Sequence, residues 1–308
     1  MPKSLLSLLA AAVITLLLQS VASGAGPIGV LLNLVVPFPI VYLAMRQGLR
    51  AAGLATALVL AALLVLGGPT SLLSYLLQFG SVSLLLPALL LKSWSWDRAV
   101  VATLGLALAI ATLALVIFTA QQEISLTKSI GQYVDSEIKL ALNLANDSNL
   151  SIEQQDQYRA AVTSMGTFLK QTLPAWTVTV FGAMLLLQVF LLSLRAEGRY
   201  LVIGPAFSSW SVPEVMVWPL IAAGFAVAFA SGVPRLLGLN LLVVFLPIYF
   251  LQGLAVVTFF FQKKQVSPML RALGYTLIAF LNPMPMIVTA IGVFDMWADF
   301  RKPRIKKT

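Results

Sequence analysis

The chain has 308 residues, 59% of them hydrophobic and only 10% charged, with a mean hydropathy of +0.94. Soluble domains carry about 25% charged residues, so this composition excludes a pair of ordinary soluble domains and points to one all-α, polytopic membrane protein. With no Cys and no His there is no disulfide, thiolate nucleophile, imidazole base or usual zinc site, and the net charge of +9 gathers beside membrane segments rather than on a nucleic-acid face.

Nine apolar stretches free of Lys, Arg, Asp and Glu are predicted as helices: 4–22, 28–45, 51–67, 71–91, 99–120, 175–194, 215–229, 237–261 and 272–291. A run of about 18 apolar residues crosses a bilayer of roughly 30 Å. Lys3, the apolar run after it and the small residues Ala22-Ser23-Gly24 also fit a secretory signal. A retained first anchor is the expectation for a multi-pass chain. Arg46 and Arg50, Lys92 and Arg98, Arg195 and Arg199, and Lys263 and Lys264 follow alternate stretches, while the short loops 22–27 and 67–70 carry no charge and 231–236 only Arg235. The positive-inside rule then places the N-terminus in the cytoplasm and residues 121–174 outside. Nine crossings would leave the basic tail from Arg301 to Lys307 outside as well. The stretch 272–291, centred on Asn282-Pro283-Met284-Pro285, is therefore expected to break, because its prolines remove backbone donors. Eight full crossings with a cytoplasmic tail result.

The chain divides into membrane helices over 1–120, an outer helical pair over 121–174 and further membrane helices over 175–308. In the outer part Ile130, Val134, Ile138 and Leu142 recur every fourth residue. Asn146-Asp147-Ser148-Asn149 stops that helix, and Ser151 with Gln154 forms a capping box for the next. Tyr158, Val162, Met165 and Leu169 form the second apolar stripe. Residues 200–215 read as an elbow in the plane of the cytoplasmic face, with Phe207, Trp210 and Pro213 at a three-residue rhythm, anchored at the interface or bound to a partner.

No stretch holds an acid or base for proton coupling or catalysis, and no Gly-Lys pair marks a phosphate loop. No catalytic residue, metal site or cofactor is expected, and the chain does not read as an enzyme. Neutral amides remain inside the membrane stretches: Asn33, Gln78, Gln188, Asn240, Gln252 and Asn282. Each must bond a neighbouring helix or line a cavity, and together they are the candidate substrate-binding residues. Small residues four apart (Gly53, Ala57 and Ala61; Gly105 and Ala109; Ala222, Ala226 and Ala230) permit close helix packing. Near the end, Phe294, Trp297 and Phe300 alternate with Asp295 and Asp299. Arg301 and Lys302 offer these acids simpler partners than a metal. Phe207, Trp210, Pro213, Asp295, Trp297, Asp299 and Arg301 are the candidate partner-facing residues.

Pro37-Phe38-Pro39 with Arg46-Gln47-Gly48, the elbow Phe207-Ser208-Ser209-Trp210-Ser211-Val212-Pro213, and the ending from Gly292 to Arg301 together resemble the YybS-like bacterial membrane proteins, a family of unknown function. The likeness covers nearly the whole chain. Over 4–194 the Pro-x-Pro segment and the arginine–glycine turn are distantly similar to the S components of energy-coupling-factor transporters. That resemblance implies a bacterial inner-membrane subunit that binds a substrate and borrows ATPase subunits. The expected function is thus a non-catalytic, transport-related subunit without its own energy source. The alternative is a scaffold or assembly factor that works through a membrane-protein partner.

Overall fold

The computed structural model describes residues 3–122, 131, 134–136, 138–143, 151–195 and 200–301. Helices dominate throughout, and no strand occurs among the described residues. The chain forms two compact units, one of Met1–Gln122 with Val180–Gly204, the other of Glu123–Thr179 with Pro205–Thr308.

The first unit holds α1 (Lys3–Gly24), α2 (Pro27–Asn33), α3 (Phe38–Gln47), α4 (Leu49–Tyr75), α5 (Ser81–Leu91), α6 (Trp96–Gln122) and the C-terminal part of α7 (Ile152–Arg195). Stretch 28–45, expected as one helix, is broken between α2 and α3. Pro37 and Pro39 have no N–H to continue the ladder, and the chain tightens ahead of them, the Leu34 and Val35 amides donating three residues back to the Leu31 and Leu32 carbonyls. At the loop expected at 67–70 the helical backbone breaks, and α4 kinks at Gly68. Gly68 takes φ 71°, a conformation that favours glycine, and Pro69 opens the next turn, where its missing N–H costs nothing. A π-helical turn, Leu76–Gly80, then joins α4 to α5. The core packs Ile40, Val59, Val82, Leu86, Leu185 and Leu192, all fully buried.

The second unit holds the N-terminal part of α7, α8 (Val217–Phe229), α9 (Val233–Lys263), α10 (Pro268–Phe280) and α11 (Met284–Ala298), with 3-10 turns at Phe207–Ser209 and Glu214–Met216. The capping box at the start of α7 is present: Ser151 N–H donates to Gln154 Oε1 at 3.1 Å, and Gln154 N–H to Ser151 Oγ at 3.3 Å. α7 then runs 44 residues, continuing through Pro174. The Lys170 ammonium pairs with Asp135 at 2.6 Å, and the Ile138 side chain fills the space a Cβ on Gly166 would need. Ile130 and the stop at 146–149 lie outside the described residues.

Among the described residues six helical runs, two of them α2 with α3 and α4 with α5, are long and apolar enough to cross a membrane, or seven if α10 and α11 count as one broken span. Two of the expected spans share the single 43-residue run Leu49–Leu91. α8 has 13 residues, about 20 Å of rise, less than the roughly 30 Å of a bilayer core. The expected break in 272–291 is present: α10 and α11 bend by 102° across the cis peptide Asn282–Pro283.

Candidate functional site

The polar centre of the second unit is built on a helix crossing. Gly253 of α9 and Gly292 of α11 stand in isolation within apolar runs, and each is needed for contact. A Cβ on Gly253 would overlap the Val288 carbonyl, and one on Gly292 would overlap the Tyr249 carbonyl. Bare backbone therefore meets bare backbone. This approach brings Gln252 of α9 to Asp295 of α11, whose Oδ2 accepts from Gln252 Nε2 at 3.3 Å. After Ala298, Asp299 caps α11 in the left-handed conformation, φ 44°, ψ 50°. The chain turns back, and Arg301 Nη2 reaches the same Asp295 Oδ2 at 2.6 Å.

The guanidinium has a second task. Its Nη1 donates to the carbonyls of Ser208, at 3.1 Å, and Trp210, at 2.8 Å, while Gln252 Oε1 accepts the Val212 N–H at 3.0 Å. Two side chains, Arg301 and Gln252, thus hold the elbow, an irregular segment, by its own backbone groups, and Asp295 holds both of them. The fork geometry of arginine suits such multiple acceptance better than a lysine point charge. Asp295 is 5% exposed and Gln252 1%. Both donors to Asp295 converge on Oδ2. Asp295 Oδ1 is buried without a hydrogen-bond partner, as is the Tyr249 hydroxyl three residues before Gln252. A desolvated carboxylate oxygen with empty lone pairs is costly, and this is the strongest unsatisfied acceptor in the unit.

The elbow and the chain ending, separate in the sequence reading, therefore meet at one place. Trp210 packs on the small core of Val212, Val217, Leu220 and Tyr249. Phe207, Pro213, Trp297 and Asp299 are exposed, with Trp297 tilted against Phe294 at 6.3 Å between ring centres.

The six amides are divided between the two units. Asn33, Gln78 and Gln188 belong to the first unit, and Asn240, Gln252 and Asn282 to the second. Gln188 is fully buried and donates to the Leu34 carbonyl at 2.7 Å, tying α7 to the break after α2. Asn240 donates to the carbonyls of Gln171, at 2.8 Å, and Leu236, at 2.9 Å. Asn33 is half-buried at the end of α2, Gln78 is exposed in the π turn, and Asn282 is exposed at the α10–α11 break. Gln188 and Asn240 thus act as interhelical glue. Gln188→Leu removes one bond but also a buried Oε1 that has no partner, so its expected cost is small, about 1 kcal/mol. A drop of a few degrees in melting temperature in detergent checks this.

The stripes of small residues divide. Ala226 meets Gly238 across α8 and α9, with a Cβ on Gly238 falling 2.8 Å from the Ala223 carbonyl and 3.0 Å from Ala226. Gly53 and Gly105 have nothing within 4 Å of such a Cβ. The hollow along α8, lined by Ile221, Gly224, Phe225, Ala228 and Phe229, is apolar. Sequence reasoning missed Gly253, Gly292 and Tyr249. An isolated glycine inside a long apolar helix was the available signal for the first two.

The family described as "Predicted membrane protein (DUF2232)" matches residues 11–296, and the chain belongs to it. No curated protein and no solved structure matches the chain.

Proposed function

From membership of a family of multi-pass membrane proteins, we propose that this chain is a transport-related, substrate-binding subunit without an energy source of its own. We place its substrate contact at Gln252, Asp295, Arg301 and the elbow backbone. The observation that supports this reading is the buried, unpartnered Asp295 Oδ1 beside irregular backbone. Ionisable groups and broken backbone inside membrane proteins concentrate where solutes bind. The same proposal has eight crossings, with the N-terminus and basic tail in the cytoplasm of a bacterial inner membrane and a helical pair over 121–174 outside. The YybS-like resemblance, to a family of unknown function, is compatible with it, and the distant likeness to S components of energy-coupling-factor transporters suggests ATPase-bearing partners.

The test is a thermal-shift screen of the purified chain against vitamins and other small solutes. A stabilising solute whose effect is lost in Asp295→Asn supports the proposal. A shift that survives this substitution moves the site elsewhere, and no shift with any solute overturns the reading.

A scaffold role is the second reading. The face of Gly53, Ala57 and Ala61 on α4 supports it, because Ala57 and Ala61 are exposed and Gly53 has open space beside it. Crosslinking in native membranes separates the two: ATPase subunits favour substrate capture, and envelope or division proteins favour the scaffold. A partner whose co-purification is lost when 121–173 is deleted points the same way as the latter.

A further inference from the structure

The depth of the elbow follows from helix register. α8 and α9 run antiparallel from the turn at residues 230–232. Gly238 of α9 lies against Ala226 of α8, and fourteen residues further along both segments Gln252 receives the Val212 N–H. α9 does not end there. It continues another 11 residues to Lys263, about 16 Å. The first nine of them, Gly253-Leu254-Ala255-Val256-Val257-Thr258-Phe259-Phe260-Phe261, are uncharged and mostly apolar, as hydrocarbon requires, and Gln262 and Lys263 close the helix. The shortness of α8 has the same origin. A helix of about 20 Å cannot cross a membrane from face to face, but it completes the crossing if it starts about 16 Å inside.

We infer that residues 205–216 re-enter the membrane from the Lys263 end of α9, so that Asp295 and Arg301 form an intramembrane ion pair and the outer face of the elbow lines a water-filled vestibule. The water is required by what that face presents. Ser209, Ser211 and the Glu214 carboxylate are exposed on this chain. Irregular backbone and a carboxylate do not face lipid tails at depth; they are buried in protein or line an aqueous cavity. Asp295 is paired with Arg301, and among the described residues Glu214 on the elbow and Asp299 at the end of α11 are exposed carboxylates. The vestibule therefore admits water and small cations and disfavours anions. This placement holds whether or not the chain carries a solute, so it and the proposed function fail separately.

The sequence contains no Cys, so single substitutions can be read without background. In membrane vesicles open to the Lys263 side, a small cationic thiosulfonate is expected to modify Ser209→Cys and Ser211→Cys. A polyethylene-glycol maleimide is expected to modify only the surface control Lys264→Cys. If the large reagent reaches Ser211→Cys as fast as Lys264→Cys, the elbow lies on the surface and the inference is wrong. If the small reagent reaches neither serine position, lipid or another protein covers the elbow and the vestibule is wrong. In the Ser211→Cys background, Glu214→Gln should lower the ratio of cationic to anionic reagent rates several-fold. An unchanged ratio removes the charge selectivity.

Discussion

Replacing Arg301 by Gln is expected to destabilise the second unit by about 3–5 kcal/mol, the range for breaking one side of a buried ion pair. The two side chains are 14% and 4% exposed, so little of this is lost to solvent screening. The substitution leaves Asp295 with Gln252 as its one remaining partner, at 3.3 Å, and takes the donor from the Ser208 and Trp210 carbonyls. Of the three side-chain bonds to its backbone, the elbow then keeps only the one from Val212 to Gln252. The companion variant separates pair energy from burial cost. Asp295→Leu with Arg301→Met removes both charges, and such apolar replacements are often neutral or stabilising. It should recover most of the melting temperature lost in the single variant, yet leave the elbow carbonyls unheld. Faster modification of a cysteine at Ser209 in both variants, with stability restored only in the double, is the expected pattern. A single variant that melts within a degree of the parent would show that Arg301 does not hold the elbow.

What the sequence made legible and what it hid divide along the distance between partners. Helices were readable because each apolar run reports on itself, and the break at Asn282-Pro283 was readable because proline acts on its own turn. The broken second stretch carried the same signal in Pro37 and Pro39, but its apolar composition masked the turn between α2 and α3. The capping box of Ser151 and Gln154 is likewise a contact across three residues. The latch is different. Arg301 bonds carbonyls 91 and 93 residues away, and Gln252 meets Asp295 across 43. All the polar members were singled out by type, as amide, acid, base or elbow, but nothing in one sequence says which of them meet. The partners of the amides were hidden for the same reason. Local spacing put each amide in a helix and could not assign Gln188 to the Leu34 carbonyl or Asn240 to Gln171.

Gly292→Ala should be the most damaging single-methyl change in the second unit. The added carbon would overlap the Tyr249 carbonyl, which is backbone and cannot rotate away, and would also fall 2.7 Å from the Gly253 nitrogen. α9 and α11 must separate to admit it. Overpacking of this kind costs about 1–3 kcal/mol, and a buried backbone collision belongs at the upper end. The consequence reaches the site, because Asp295 lies three residues beyond Gly292 on the same helix and its bond to Gln252 is already long. Displacing α11 breaks that bond first, while Arg301 can follow Asp295 because only the short turn at Asp299 separates the two along the chain. The elbow should then loosen at Val212 before Trp210. Gly53→Ala is the control, since nothing lies within 4 Å of its Cβ and alanine is the better helix former, so its melting temperature should hold or rise slightly. If both substitutions had equal, small effects, the close crossing of α9 and α11 would not be what brings Gln252 to Asp295. The polar site would then need another cause.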